Sequence, residues 1–451
     1  MTTAPAFRLP PGPRAPRAVQ GAAFAIANRH IMFALHRRYG ETFTTYMPGF
    51  GHAVVVTDPA LVKQVFTADP KVLHVGDRGP LGKVLGPASL FSLDEEPHLR
   101  ERRMLLPPFH GARMKSYEAI FAQEARKEIA GWPQGVPFAT LDAMMRITLN
   151  AILRTVFGAE HAEFDGLRRL LPGMVKRGSR LVLLQPLQRD LGPLSPGGKF
   201  LAQRREFDGY VAGLIAKAKA DPDLAERDDI LAMLVQARYE DGDELSQDAI
   251  SDQLLTLLVA GHETTAGSLA WTIERLRRHP EVLARLVDEV HEGGRDLREA
   301  TIRETQRTRP VIGGTVRFVM EPFALGEWLL PPGMAIIVSA ALTHADDRYY
   351  ENAAAFDPDR FLGVKPDTYT WTPYGGGVRR CIGAAFAHME MDVVLRTVLE
   401  EVELLPTADR PERTVFRGVA FAPAKGGRAI VRHRTTPLSA ESGAVPATVA
   451  A

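Results

Sequence analysis

The sequence predicts a mainly α-helical protein with a smaller β-rich region. Through most of the chain apolar residues recur three or four positions apart, the spacing of one helix face. Strand-like segments are short: Phe43 to Met47, Ala53 to Val56 and Ala335 to Val338, β-branched and set beside Pro-Gly turns. One segment, Ser246 to Leu276, keeps helical periodicity for so long that at ~1.5 Å per residue it would span roughly 50 Å and cross a whole domain.

Taken in order, Met1 to Pro16 is proline-rich and reads as a flexible lead-in. Phe24, Ile26, Ile31, Phe33 and Leu35 give an amphipathic helix between Ala18 and Arg38. A turn at Pro48-Gly49 joins the first two strands, and Asp58-Pro59 supplies the N-cap and N1 residues of the next helix. From His74 to Leu93, glycines and prolines break the pattern into a long loop of the kind that is often functional. A helix begins at Pro97, with His98 and Arg102 on one face. Ser116 to Gly158 reads as helix, with Met144, Ile147, Ala151, Ile152 and Phe157 inward. Two further helices lie within Phe164 to Lys219, separated by a loop at Arg177–Gly198. The long helix has Ser246 as N-cap, buries Ile250, Leu254, Leu257 and Leu258, and stops at His279-Pro280. Pro310 to Val319 should be extended, and Phe416 to Phe421 should turn back as a hairpin tip. The tail from Thr435 is small and polar and is expected to be disordered.

At 451 residues and 45% hydrophobic composition the chain can bury a large core, and length alone suggests two or three domains. Lys+Arg total 55 against Asp+Glu 54, so the overall charge gives no reason to expect nucleic acid or an acidic partner. The single cysteine excludes an intrachain disulfide and fits a reducing compartment, so a cytoplasmic location is expected. The longest apolar runs, such as Met334 to Leu342, fall short of a membrane span.

Chemistry concentrates between Tyr374 and Gly383, around Cys381. Gly375, Gly376 and Gly377 free the backbone for turn geometry and remove Cβ atoms that would hold off a flat ligand. From Ala384 the helical spacing returns, so Cys381 is expected where a glycine loop meets a helix N-terminus, a place that favours a thiolate. A zinc or iron–sulfur cage would need further soft ligands, and none are in sequence reach. A lone thiolate is what haem iron takes in the oxygen-activating class, and Arg379 offers a fixed cation for a haem carboxylate. The stretch resembles the F-x-x-G-x-R-x-C-x-G signature of the cytochrome P-450 (haem-thiolate monooxygenase) superfamily at Tyr374, Gly377, Arg379, Cys381 and Gly383. Tyr374 stands where the family usually has phenylalanine.

Further motifs follow the family's order. Midway along the long helix, Ala260-Gly261-His262-Glu263-Thr264-Thr265 is weakened by a glycine costing up to ~1 kcal/mol and by threonines that can bond back to the preceding turn. It resembles A-G-x-[DE]-T-[TS], which implies that Ala260 and Gly261 leave room for dioxygen and substrate while Glu263 and Thr264 deliver protons. Glu304 and Arg307 resemble the E-x-x-R pair, and Arg360 lies in a P-x-R-F-like segment, implying a structural charge network behind the haem. The resemblance also implies that His98, Arg102 and Arg317 bind haem propionates, with Tyr374, Gly375 and Gly383 beside the cofactor. Gly313-Gly314 departs from the usual family sequence.

The resemblance runs from about Leu9 to Arg434. It implies one triangular-prism domain, 17–434, of the soluble bacterial type, with a flexible 1–16 and a disordered 435–451. It further implies haem b (iron protoporphyrin IX) held by Cys381, no transmembrane anchor, a monomer, and electrons from a ferredoxin- or flavodoxin-type donor with its NAD(P)H-dependent reductase. Arg100, Arg103, Arg113 and Arg380 are candidate donor contacts. The pocket candidates Leu90, Leu257, Ala260, Gly261, Val311, Ile312, Val316 and Phe421 are mostly apolar, which suggests hydroxylation or epoxidation of a small hydrophobic molecule such as a fatty acid, terpenoid or steroid. The alternatives are a peroxide-driven peroxygenase and a non-catalytic haem-based sensor or carrier.

Overall fold

The structure, a computed structural model, describes residues 6–435 and 438, apart from 77–78, 80, 112, 159–161, 184 and 418–419. Helix α1 (Arg17–Tyr39) precedes strands β1 (Thr42–Met47) and β2 (Gly51–Val56), followed by α2 (Pro59–Thr67), β3 (Leu73–His74), α3 (Gly82–Leu85), α4 (Glu95–Leu105) and α5 (Arg113–Ile129). Strand β4 (Phe138–Ala139) leads into α6 (Thr140–Phe157), α7 (Glu163–Leu183), α8 (Pro196–Ala220), α9 (Ile230–Gln236) and the long α10 (Gln247–Leu276). After α11 (Pro280–His291) and α12 (Asp296–Thr308) come β5 (Thr315–Val319), β6 (Phe323–Leu325), β7 (Trp328–Leu330), β8 (Ala335–Val338) and α13 (Ala340–Thr343). Helix α14 (Ala384–Glu401) and strands β9 (Val402–Leu404), β10 (Thr414–Phe416), β11 (Phe421–Pro423), β12 (Arg428–Ala429) and β13 (Val431–His433) follow.

The main sheet has the order β1-β2-β8-β5-β3, with β2 and β8 parallel. Its alternation is visible in its two cores. Val54, Val56, Ile336 and Val338 pack with Val62 and Phe66 of α2 on one face, while Ala53, Val55, Ala335 and Ile337 pack with Phe43 and Phe318 on the other.

Helix α10 organises the rest. Ser246 caps it, its hydroxyl accepting the Ala249 N–H at 3.1 Å. Leu254, Leu255, Leu257 and Leu258 belong to one apolar core, with Phe121, Ile152 and Phe386; Ala266, Leu269, Ala270 and Ile273 belong to another, with Met144, Ile147 and Val394. The turn between, Ala260 to Thr265, lies where one core hands the helix to the next. Burial drops there: Ala260 is exposed, and Gly261, Glu263 and Thr264 are half-buried in an otherwise buried stretch.

Three expectations change. The N-terminal segment is not loose over its described part, because Arg8 and Leu329 exchange backbone bonds of 3.2 and 2.9 Å and the Thr44 N–H donates to the Pro11 carbonyl at 2.8 Å. Ser116 to Gly158 is not one helix: it breaks between α5 and α6, where β4 pairs with β12. The loop at 177–198 is shorter than its prolines and glycines suggest, since α7 continues to Leu183 through Pro172 and α8 starts at Pro196. Proline suits that first helical position because its missing N–H would have no partner there. Residues 1–5 and 439–451 lie outside the described residues.

Candidate functional site

The cysteine loop is held by α2. Gly375 and Gly377 have φ of +65° and +64°, the left-handed region. A Cβ on Gly377 would stand 1.9 Å from the Phe66 carbonyl oxygen, and one on Gly376 would stand 2.1 Å from the Phe66 ring. The glycines therefore let the last turn of α2 press on the loop from behind. Gly377→Ala is expected to cost about 1–3 kcal/mol, read as a lower unfolding midpoint. A midpoint equal to the parent's would mean that the α2 contact does not hold the loop.

Cys381 sits just before α14, its N–H donating to the Tyr374 carbonyl at 3.0 Å. The Tyr374 hydroxyl accepts from Gln306 Nε2 at 2.7 Å, so α12 supplies a polar partner for the hydroxyl that phenylalanine would lack. The cysteine side chain is accessible, yet protein surrounds it closely enough that burial pushes its thiol up, with the Gly383 N–H, Arg102 and Arg380 opposing. It therefore faces an interior recess. Burial thus opposes the thiolate that the loop and the helix N-terminus are expected to favour. A coordinating metal ion would itself deprotonate such a thiol.

Three arginines and one histidine cluster here and reach the thiol through Arg102. His98 is 3% exposed, and its imidazole is pushed down to about 3 by burial and by Arg379, Arg102 and Arg317. Arg317 is lowered to about 10 by burial and then Arg379. Arg379 is also lowered to about 10 by burial and by Arg102, with Asp94 opposing. Arg102 is lowered by burial while Cys381 opposes. Desolvated positive charge in this quantity suits an anion, and it fits the carboxylates of a haem. Part of the donor capacity is already used. Arg379 bonds the carbonyls of Leu90 at 3.0 Å and Leu93 at 2.5 Å as well as Asp94. Arg317 bonds Thr315 Oγ1 and the Val316 carbonyl, each at 2.8 Å, and the Gly376 carbonyl at 3.2 Å. Asp94, which anchors Arg379 and accepts the Val75 N–H at 2.8 Å, was not singled out from the sequence. Its place just before Glu95-Glu96-Pro97 reads simply as a helix cap.

On α10 four successive side chains diverge. His262 is buried against α6, its Nδ1 3.2 Å from Thr148 Oγ1, and burial pushes it down to about 4. Thr265 meets Glu390 of α14, whose carboxyl burial pushes well up. Thr264 donates to the Ala260 carbonyl at 2.7 Å, the back-bond that bends helices. Glu263 is pushed up by burial, with Arg417 opposing, and its Oε2 has no partner among the described residues.

The pocket candidates divide. Ala260 is exposed. Val311 lies against α10, 3.2 Å from where a Gly267 Cβ would stand, and the Phe421 ring covers Gly313, whose own Cβ would meet it at 3.0 Å. Ile312 is half-buried, and Leu90 and Leu257 are core. Two assignments are corrected. Gly261 turns its bare side to Ile152 of α6, 3.5 Å from a Cβ there, so the side chain it lacks would lie in ordinary contact with α6 rather than in open space. Val316 packs with Phe43, Val55 and Phe318, because strand alternation puts it on the face opposite Arg317. A cavity of about 30 Å³ among α3, α7, α8 and α10 is lined by Val84, Met174, Val182, Phe200, Leu255 and Val259, none of which the sequence reading named.

Behind the loop, Arg307 and Glu304 are fully buried and paired at 2.6 and 2.7 Å, with Arg360 Nε 3.8 Å from Glu304. The order of elements, the accessible thiol on its glycine loop and the long helix whose burial drops midway define a haem-thiolate protein. The chain belongs to the cytochrome P450 family, whose model, described as Cytochrome P450, matches residues 10–428. It is 50% identical over 432 residues to a putative cytochrome P450 138 of Mycobacterium tuberculosis, covering 95% of this chain and 98% of that one. It is 39% identical to a putative cytochrome P450 135B1 of the same species, covering 96% and 93%. Among solved structures it is similar to a retinoic acid-bound cyanobacterial CYP120A1, at a TM-score of 0.82, 21% identity and coverage of 95% and 100%. The cytochrome P450DA heme domain has the same fold, at a TM-score of 0.81, 23% identity and coverage of 95% and 98%. Members of this family are haem monooxygenases, and this chain is an oxidoreductase of that kind. Among the described residues no helix is long and apolar enough to cross a membrane.

Proposed function

We propose that Cys381 ligates the iron of haem b, that His98, Arg102, Arg317 and Arg379 answer its propionates, and that the protein hydroxylates or epoxidises a small hydrophobic molecule such as a fatty acid, terpenoid or steroid. The observation that carries this reading is the set of three desolvated arginines, with the buried neutral His98 among them, that reaches one accessible thiol through Arg102. When bound, the haem supplies dioxygen activation, which thiolate ligation favours by promoting O–O cleavage. The chain's own part is to bind substrate and manage protons. Val311 and Phe421 confine an apolar substrate beside α10, and the exposed Ala260 methyl leaves it room. With its own proton given to the Ala260 carbonyl, the Thr264 hydroxyl offers its oxygen as an acceptor at the recess, and Glu263, its Oε2 unpartnered, is placed to bring protons there from solvent.

Electrons come from a ferredoxin- or flavodoxin-type donor with its NAD(P)H-dependent reductase. Of the four arginines named from the sequence, Arg100 pairs with Asp241 at 2.5 Å, Arg103 with Glu96 at 3.2 Å and Glu240 at 3.6 Å, and Arg113 contacts Met233. Arg380 is exposed with no carboxylate partner among the described residues, so it is the contact favoured here. The lone cysteine suits a reducing cytoplasm.

Optical titration of the haem-loaded protein with a panel of fatty acids, terpenoids and steroids, followed by product analysis with a surrogate donor, tests the substrate class. Binding confined to small polar compounds would overturn it. Thr264→Ala is expected to lower product formed per electron pair by roughly tenfold or more while leaving substrate binding intact. Peroxide-driven turnover indifferent to that change would favour a peroxygenase, and no product with any donor would favour a sensor.

A further inference from the structure

Backbone geometry seats the β10–β11 hairpin, which carries the exposed Arg417, on the face of α10 that holds Glu263. Glu263 and Gly267 lie one turn apart on the same face of α10. At Gly267 the Phe421 carbonyl oxygen comes within 3.8 Å, and Val311 Cγ1 within 3.2 Å, of the place a Cβ would take. The bare backbone at Gly267 is therefore what lets the β10–β11 hairpin lie against α10. The hairpin is pinned there by the Phe421 N–H, which donates to the Val311 carbonyl at 2.7 Å, and Phe416 pairs with Phe421 across it. Its tip closes through the Arg417 N–H donating to the Ala420 carbonyl at 2.8 Å, leaving the Arg417 side chain exposed.

Among the described residues Glu263 Oε2 has no hydrogen-bond partner. Among the described residues, burial and Arg417 are the two influences on its carboxyl. The neighbouring charges look elsewhere: His262 bonds Thr148 of α6, Glu390 of α14 faces Thr265, and Arg309, just before Val311, lies 5.4 Å over the Trp271 ring.

We propose that Arg417, at the tip of the β10–β11 hairpin, is the positioning residue for Glu263, holding the carboxylate charged and drawn toward solvent, with the bare Gly267 setting the hairpin's seat. The inference rests on the proton-delivery reading of Glu263. A cation near a carboxylate favours its charged form, so removing the cation leaves burial unopposed and shifts protonation to higher pH.

The test uses the haem-loaded protein. Infrared titration of the carboxylic C=O band across pH, with Glu263→Gln identifying the band by its loss, gives the Glu263 midpoint directly. Arg417→Gln is expected to move that midpoint to higher pH, and Arg417→Lys to keep it near the parent's. Gly267→Val, which drives the hairpin off α10 without removing a charge, should move it in the same direction as Arg417→Gln. Product formed per electron pair at neutral pH should fall roughly threefold to tenfold in Arg417→Gln and no further when that change is added to Glu263→Gln. An unmoved midpoint in Arg417→Gln, or additive losses in the double variant, overturns the proposal and leaves the relay intact. Parental coupling in Glu263→Gln overturns the relay itself and with it the role given to Arg417, even where the midpoint shift persists.

Discussion

Replacing Cys381 by serine is expected to abolish monooxygenation and to move the Soret band of the reduced, carbon-monoxide-treated protein away from the parent's position. Every geometric support of the site converges on this thiol. The Phe66 wedge behind Gly376 and Gly377, the Cys381 N–H bond to Tyr374 and the Gly383 N–H aimed at the sulfur all place one atom at the start of α14. Serine preserves those backbone contacts and the recess, so the protein should fold. It cannot preserve the soft, electron-donating sulfur. A variant with the parental Soret band would place the metal ligand elsewhere, although the described residues contain no cluster of His, Cys, Asp and Glu able to hold an ion.

Arg307→Leu is expected to destabilise the protein by about 3–5 kcal/mol, measured by urea unfolding, and to lower haem content as the cysteine loop loses its backing. All five donors of Arg307 are used. Nε and Nη2 take the two Glu304 oxygens at 2.7 and 2.6 Å, Nη1 takes the carbonyls of His344 at 2.7 Å and Ala353 at 2.8 Å, and Nη2 also takes that of Ala355 at 2.8 Å. Leucine would strand a buried carboxylate that, among the described residues, otherwise keeps only the Asp357 N–H at 2.9 Å and Arg360 at 3.8 Å. It would also leave three carbonyls without that donor. Arg307→Lys offers charge without the planar fork and should recover only part of the loss. A loss under about 1 kcal/mol for Arg307→Leu would put this pair among ordinary surface bridges.

Glu304–Arg307 was legible in the sequence because both residues lie on one turn of one helix, where spacing alone makes them neighbours. The same holds for His98 with Arg102 and for Thr264 with Ala260. What spacing did not convey was direction. Gly261 and Val316 sit at positions in the chain that suit a pocket, yet one faces α6 and the other the far side of the sheet. Asp94, Phe66 and Arg417 carried no local signal, since each acts on a partner far along the chain: Arg379, Gly377 and Glu263.

Sequence alone determined which chemistry this protein carries: one thiol on a glycine loop, an acid and an alcohol in a weakened helix, and the family to which both belong. Those features are local, set by residue type and by repeats of a few positions. Only the tertiary structure decided what surrounds them, including the burial that pushes the Cys381 thiol up and His98 down, and which charge answers Glu263. Desolvation and Coulombic effects depend on through-space packing between elements hundreds of residues apart, and no window of the chain encodes a distance across the fold.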